Sequence, residues 1–465
     1  MRRRRDGLTR RRRRSREGPM PALYILVEEG QREFLAKLLV ARIAVERGYD
    51  AIVGQQWLIN YNLAKLPPGI VLAKGMNKAQ ASLFGRARAC GHLVAANEEE
   101  AFALCDRREI LRLCDPTSAA SCNLVLAQSE LHRDVLSERF DDPASRIAVV
   151  GNPRADLLRP EFNGLYEAER RAIAAEHGRF ILLNTNFGSV NSHFGDCLEY
   201  FGVCVQTGVV DPTDPTDMAT FAEWCDWETR NFAEVVRFLD DLKASGRRHK
   251  VIVRPHPSEK LDVWNEVAAR RPGLAVIRSG NHVPWMLASD LLIHTGCTTG
   301  MEAFIAGRPA VSLCPGTTRW HDIYVSNRIN PRVASGAEAV EFVRRVVDAG
   351  DVDPLRRNEL DARAERFIAA TDGPLAAERM VDALDRLRMP QMPDRPWMPL
   401  PGFVGAVTRT DMQVSKFTAT VADVTNDLAR LAACAGRFAD IAVVPVGESL
   451  FHLSRQAPTA KYAAP

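Results

Sequence analysis

Short apolar runs separated by polar turns alternate along this chain with longer stretches of helical periodicity, and no other feature narrows its fold as far. Runs near 24–27, 51–54, 70–73, 92–95, 123–127 and 147–150 fill the first part, with a helical pattern at 32–47 between the first two. A strand that returns parallel to its neighbour needs a crossover, and such crossovers are right-handed. The alternation therefore predicts βα units building a parallel sheet in an α/β protein. Gly151-Asn152-Pro153 breaks the pattern and marks a boundary. A second set follows near 180–183, 251–254, 275–277, 291–293 and 310–313, closed by helices near 338–348, 359–370 and 376–387. With 465 residues, 46% of them hydrophobic, the chain can bury more than one core.

Two segments in the second set carry chemistry. Arg254-Pro255-His256-Pro257-Ser258-Glu259 follows the run Lys250-Val251-Ile252-Val253, so Arg254 and His256 emerge at the carboxyl end of a buried strand, where open α/β sheets bind ligands. The X-Pro steps keep the segment extended. His294-Thr295-Gly296-Cys297-Thr298-Thr299-Gly300-Met301-Glu302 follows Asp290-Leu291-Leu292-Ile293 and runs into a helix. A helix start with free N–H groups and the hydroxyls of Thr298 and Thr299 suits an anion. Each segment alone has a plainer reading, as a strand-ending loop and as an N-cap. Their order, with one αβ unit between them, is the layout of a nucleotide-binding half domain.

The formal charge of +3 misleads, because residues 1–19 hold ten Arg against Asp6 and Glu17, a local +8 that leaves −5 on the rest. A mildly acidic body argues against nucleic acid as a partner. The Arg-rich start lacks an apolar face and a following hydrophobic region, so residues 1–20 are expected to form a disordered tail. No apolar run reaches the length of a spanning helix. The ten Cys are scattered without CxxC or ligand spacing, as expected of reduced thiols in a cytoplasmic protein. Residues 184–221 read as one long polar loop holding Asp211-Pro212-Thr213-Asp214-Pro215-Thr216-Asp217, functional or mobile, and neither this cluster nor Asp351-Val352-Asp353 reads as a metal site.

The motif pair resembles the donor half of GT-B glycosyltransferases, in the branch with capsule Kdo transferases, polysialyltransferases and CDP-glycerol polyol-phosphate transferases. Further stretches are similar to the bacterial surface carbohydrate biosynthesis protein family: Glu28-Glu29-Gly30-Gln31-Arg32-Glu33, Gly151-Asn152-Pro153-Arg154-Ala155-Asp156-Leu157-Leu158, Leu183-Asn184-Thr185-Asn186-Phe187 and Asp372-Gly373-Pro374 with Ala377-Glu378-Arg379. The resemblance covers roughly residues 21–388 in colinear order. It implies two Rossmann-like parallel-sheet domains facing a cleft: an acceptor domain at 21–152 and a nucleotide-sugar donor domain at 153–388. A Pro-rich linker is expected at 389–402, and 403–465 reads as one helix and a strand pair packed back on the core, without an assigned role.

The implied reaction displaces a nucleotide from a sugar, a CMP-linked Kdo-like acidic sugar as the first choice, onto a glycan or lipid-linked glycan acceptor. Neither metal nor cofactor is called for, and a peripheral place at the inner membrane is compatible with such an acceptor. Arg254, His256, Ser258, His294, Thr298 and Thr299 are the expected nucleotide contacts, and Glu302, one turn into its helix, takes the ribose by motif position. Glu29, Glu33 and Glu98, after strands of the first set, are the candidate catalytic carboxylates. Lys74, Asn184, Asn186 and His321 are secondary candidates. A non-hydrolysing nucleotide-sugar 2-epimerase shares the fold and is the alternative in another reaction class; a nucleotide-binding scaffold without turnover is a third.

Overall fold

The computed structural model describes residues 21–316, 318–355, 357–389, 416–436 and 441–455. The expected tail at 1–20, nearly all of the expected linker and the start of the C-terminal segment lie outside these residues.

Two sheets form the framework. In the first, β1 (Ala22–Val27), β2 (Asp50–Gln55), β3 (Gly69–Ala73), β4 (Leu93–Ala96), β5 (Leu124–Ala127) and β6 (Ile147–Val149) are parallel. The second holds β7 (Phe180–Asn184), β8 (Lys250–Arg254), β9 (Leu274–Val276), β10 (Leu291–His294), β11 (Ala310–Leu313) and β12 (Arg332–Val333), all parallel, in the order β12-β11-β10-β7-β8-β9. Strands such as β1, β3, β7 and β10 are buried along their whole length. That explains why they read as continuous apolar runs and not as alternating ones.

The C-terminal segment returns to the first sheet. β13 (Ala442–Gly447) and β14 (Leu450–Ser454) add an antiparallel edge, giving the order β13-β14-β2-β1-β3-β4-β5-β6. Gly54 permits this, since a Cβ there would lie 2.1 Å from the Ser449 carbonyl oxygen. The helix Val421–Ala435 packs on the first helix, Gly30–Glu46, and so does Ala376–Leu384. The latter is fixed from below by Asp156, whose carboxylate accepts from Ala376 N–H at 2.8 Å and Ala377 N–H at 2.9 Å.

One expectation fails. Residues 184–221 are not a structureless loop: they contain the helix Cys197–Gln206 and the start of the 30-residue helix Pro215–Ala244. The polar residues are its punctuation. Asp214 caps the long helix through Thr216 N–H at 2.8 Å, with Pro215 in the first turn. Asp211 closes a turn on Thr213, and Asp217 accepts from Asp211 N–H. Apolar residues such as Phe221, Val235, Phe238 and Leu242 then bury one face of this helix. Each contributes roughly 1.5–3 kcal/mol. The expected helix at 359–370 is also shorter, spanning Arg357–Ala364.

Candidate active site in the cleft between the sheets

The carboxyl ends of both sheets open on one cleft of about 390 Å³. Strand order reverses between β1 and β3 in the first sheet and between β7 and β10 in the second. Ligands of open α/β sheets sit at such switch points. Glu28 and Glu29 follow β1, Lys74 follows β3, Asn184 ends β7 and Cys297 to Thr299 follow β10, and all of them line this cleft. Of the residues expected at the site, Glu29, Arg254, His256, Thr298 and Thr299 are in its wall, while Glu33, Glu98, Ser258, His294 and Glu302 are not.

Arg254 ends β8 and is only 7% exposed. Its terminal nitrogens donate to the carbonyls of Ile277 (3.3 Å), Ser279 (2.9 Å), Arg278 (3.4 Å) and Gly280 (2.8 Å), and its guanidinium lies 5.1 Å from the centre of the Trp285 ring. The side chain thus builds the loop after β9. Among the described residues no carboxylate pairs with it, and burial pulls its pKa down to about 10. Its positive charge is left unbalanced at the cleft wall.

His256 stands between two prolines. Its Nδ1 lies 2.7 Å from Ser258 Oγ and accepts from Ser258 N–H at 3.2 Å, so in the neutral ring the proton is on Nε2. The crowded cleft, together with the Arg32 and Arg278 cations, lowers its pKa to about 4 although the ring is exposed at the surface of the loop. Around neutral pH it is a neutral N–H donor, oriented by Ser258. Buried Glu259 pins this loop, accepting from His256 N–H (2.9 Å), Thr185 Oγ1 (2.6 Å) and Trp264 Nε1 (2.8 Å).

The helix Thr298–Ile305 points its first turn at the cleft, and the sulfur of its N-cap Cys297 lies against that turn, 2.7 Å from Thr299 Oγ1. Glu302 is buried: Oε1 accepts from Arg154 Nη2 at 2.5 Å and Oε2 lies 2.5 Å from His282 Nε2. Burial alone would raise its pKa, but His282 and Arg154 outweigh it and hold the carboxylate at about 2. His294 supports the loop from beneath, with Nδ1 accepting from Gly296 N–H at 3.2 Å and Nε2 3.3 Å from Asn330 Nδ2. Burial lowers its pKa to about 3, so it is neutral. Gly300 must be glycine here, because a Cβ would meet His294 Nε2 at 2.3 Å.

On the facing wall, Glu29 caps the first helix through Arg32 N–H (2.7 Å) and Gln31 N–H (3.3 Å). Glu33 is 1% exposed, returns to Glu29 N–H at 2.7 Å and pairs with Lys37. Lys74 and Lys416 both pair with Glu28, and Arg32 pairs with Glu100. The cleft is lined by five Lys or Arg against three Glu, in a chain whose body is net negative. Arg32, Lys74 and Lys416 share their wall with these three carboxylates, so the excess of positive charge lies with Arg254 and Arg278 on the other wall, and between low-dielectric walls it attracts an anion.

Glu98 is 7% exposed, accepts from Met76 N–H at 2.8 Å, and burial raises its pKa to about 8. A carboxyl raised in the fold contributes stability that is full below its unfolded pKa, about 4.5, and is lost as pH rises through about 8. Wild type should therefore lose stability relative to Glu98→Gln as pH climbs across that window. Parallel urea titrations of the two proteins at several pH values check this, and matching pH profiles would contradict it.

Lys74 and Asn184 line the cleft, whereas Asn186 donates to the Gly296 carbonyl (3.2 Å) and His321 is buried under Trp227 Nε1 (3.1 Å). Asn184 Oδ1 is buried without a hydrogen-bond partner among the described residues. Sequence reasoning missed Arg154 as the partner of Glu302, His282 as its second partner, Glu259 as the loop anchor and Lys416 as a cleft residue. Arg154 and Glu259 stand inside the quoted motifs, so the signal for those two was present; Lys416 had none.

No family model and no curated protein matches the chain. Among solved structures it is similar to an S. aureus MnaA–UDP complex (TM-score 0.48, 12% identity, 79% of this chain and 96% of that one). A UDP-GlcNAc 2-epimerase from Neisseria meningitidis bound to UDP-GlcNAc has TM-score 0.48 at 11% identity, over 79% of this chain and 99% of that one. The wall teichoic acid polymerase TagF with CDPG has TM-score 0.41 at 11% identity, over 68% and 71%. These include epimerase and polymerase alike, and likeness of this degree leaves the activity open. The chain is an α/β protein with two sheets, the second wholly parallel and the first parallel apart from its β13-β14 edge, whose carboxyl ends open on a shared cleft.

Proposed function

We propose that the protein is a GT-B-type glycosyltransferase that moves a sugar from a nucleotide donor to a glycan acceptor in surface-polysaccharide synthesis. The observation that carries this reading is Arg254, a buried cation with no carboxylate partner among the described residues, on the same cleft as the start of the helix Thr298–Ile305. A phosphate at that place balances the charge and accepts from the helix N-terminus. As the bond to the sugar breaks, the leaving phosphate gains negative charge, and fixed donors already aimed at it lower the barrier. His256 adds its Nε2–H as a neutral donor.

Across the cleft Glu29 takes the acceptor proton, or attacks the anomeric carbon; it lines that wall together with Glu28 and Glu100. Glu33 and Glu98 act instead as buried supports of the same wall. A CMP-linked acidic sugar stays the proposed donor on the resemblance alone, since Arg32, Lys74 and Lys416 on that wall are balanced by Glu28, Glu29 and Glu100. Glu302 is held by Arg154 and His282, so its part is to position the helix start and His282.

Incubation with nucleotide sugars in deuterated water tests the reaction class. A transferase releases nucleotide only when an acceptor, or slowly water, takes the sugar, and incorporates no deuterium at carbon 2. Acceptor-independent exchange at that carbon would establish the epimerase reading instead.

A further inference from the structure

The sulfurs of Cys197 and Cys225 lie 2.9 Å apart although 28 positions separate them in sequence, and both thiols are free and half-buried. No other two cysteine sulfurs among the described residues come within hydrogen-bonding distance. Cys197 opens the helix Cys197–Gln206, and Cys225 stands in the long helix Pro215–Ala244. Aromatic rings hold the two helices together. Tyr200 lies 6.3 Å from Phe221 and 5.9 Å from Trp224 between ring centres, and Trp224 stacks in turn on Trp320 at 5.9 Å with a 23° interplanar angle. The meeting of the sulfurs is therefore fixed by packing, and since a bonded pair sits at about 2.05 Å, closure asks for a movement of about 0.9 Å.

A small oxidant can reach the pair, because Cys197 is flanked by exposed Asp196 and by Leu198, which is 77% exposed. Burial, with the Cys197 thiol beside it, pushes the Cys225 thiol up to about 12, so the first attack falls to Cys197. A bond between them would tie down the segment 185–196, which joins β7 to Cys197 and braces the loop that carries His256. Thr185, in the cleft wall, donates to Glu259 at 2.6 Å; His193 N–H donates to the Ser258 carbonyl at 2.8 Å; and Lys260 N–H donates to the Asn191 carbonyl at 2.9 Å. Midway, Ser189 donates to Glu228 of the long helix through its N–H at 2.8 Å and its hydroxyl at 2.5 Å. Bonding Cys197 to Cys225 pins the far end of this segment to the same helix.

We infer that Cys197 and Cys225 form a reversible disulfide that locks the segment bracing the His256 loop. The oxidant is a low-molecular-weight disulfide. Cys197 sulfur attacks one of its two sulfurs and releases one thiol, and Cys225 sulfur then displaces the second thiol from the mixed disulfide. One S–S bond breaks and one forms; the two electrons and two protons given up by the protein thiols end on the two released thiols. The lock does not depend on which reaction the cleft performs.

Treatment of the full chain with oxidised glutathione, then digestion without reductant and mass mapping, should show the peptide of Cys197 linked to that of Cys225, and dithiothreitol should part them. The oxidised protein should melt roughly 4 °C or more above the reduced one, as closing a loop of this length predicts, and amide exchange across 185–196 and 256–260 should slow. Cys197→Ser and Cys225→Ser should each lose the link and both effects while melting, when reduced, close to reduced wild type; either serves if the other melts early. Glutathione retained on Cys197 without the internal link, or other cysteines linked in its place, overturns the proposal. A mapped link that leaves melting and exchange as in the reduced protein overturns the lock as well.

Discussion

Arg154→Met should destabilise the protein by about 3–5 kcal/mol, the cost of stripping one partner from a buried ion pair. Arg154 and Glu302 are 7% and 2% exposed, so solvent does not screen them, and the variant leaves a buried carboxylate facing His282 alone. The pH dependence follows from the same pair. Glu302 is depressed to about 2, so its contribution is present above its unfolded pKa and is lost as pH falls through about 2. Without Arg154 that pKa must rise, and the loss should begin at higher pH. Arg154→Met combined with Glu302→Gln should cost less than the two single changes together, since the second removes the charge that the first exposes. Urea midpoints of the three variants check this; a single variant as stable as wild type would show that the pair carries no such weight.

Glu29→Gln should lower turnover about a hundredfold, within the range for loss of a general base, and leave nucleotide affinity close to wild type because the nucleotide lies on the other wall. Glu33→Gln should act differently. Its carboxylate is tied to Lys37 and to Glu29 N–H, so the variant loses stability first and any fall in turnover follows from the displaced helix start. Single-turnover rates beside melting curves separate the two. If Glu29→Gln turns over at the wild-type rate, the catalytic carboxylate is another cleft residue, with Glu28 and Glu100 next to hand.

The sheets were legible because central strands such as β1, β3, β7 and β10 are buried on both faces, and burial on both faces writes an uninterrupted apolar run into the sequence. Motifs at the carboxyl ends of β8 and β10 were legible for a related reason: a strand end followed by Pro or by small polar residues fixes where the chain leaves the sheet. Direction was not. Glu33, Glu98 and His294 sit at the right strand ends and turn into the protein, where backbone N–H groups and neighbouring side chains hold them. The segment 184–221 was misread because Asp and Pro serve loops and helix starts alike, and only the buried face of the long helix decides between them.

Pairings between distant residues left no periodic trace. Arg154 and Glu302 are 148 positions apart, Lys416 meets Glu28 across 388, and the stacked pair Trp224 and Trp320 comes from two separate elements. Each depends on how the two sheets and the returning C-terminal segment are set against one another, which local pattern does not encode.

The central claim is that the cleft binds the phosphate of a nucleotide beside Arg254. Thermal shifts with CMP, CDP, UDP, GDP and dTDP, on wild type and on Arg254→Ala, test it most directly, because a ligand that binds only the folded state raises its melting temperature. The account predicts that a cytidine or uridine nucleotide stabilises wild type and that Arg254→Ala binds it more than tenfold more weakly, as loss of a charge-assisted contact of about 1.5–3 kcal/mol requires. No shift with any of the five nucleotides, or a folded Arg254→Ala variant that binds as tightly as wild type, would contradict it.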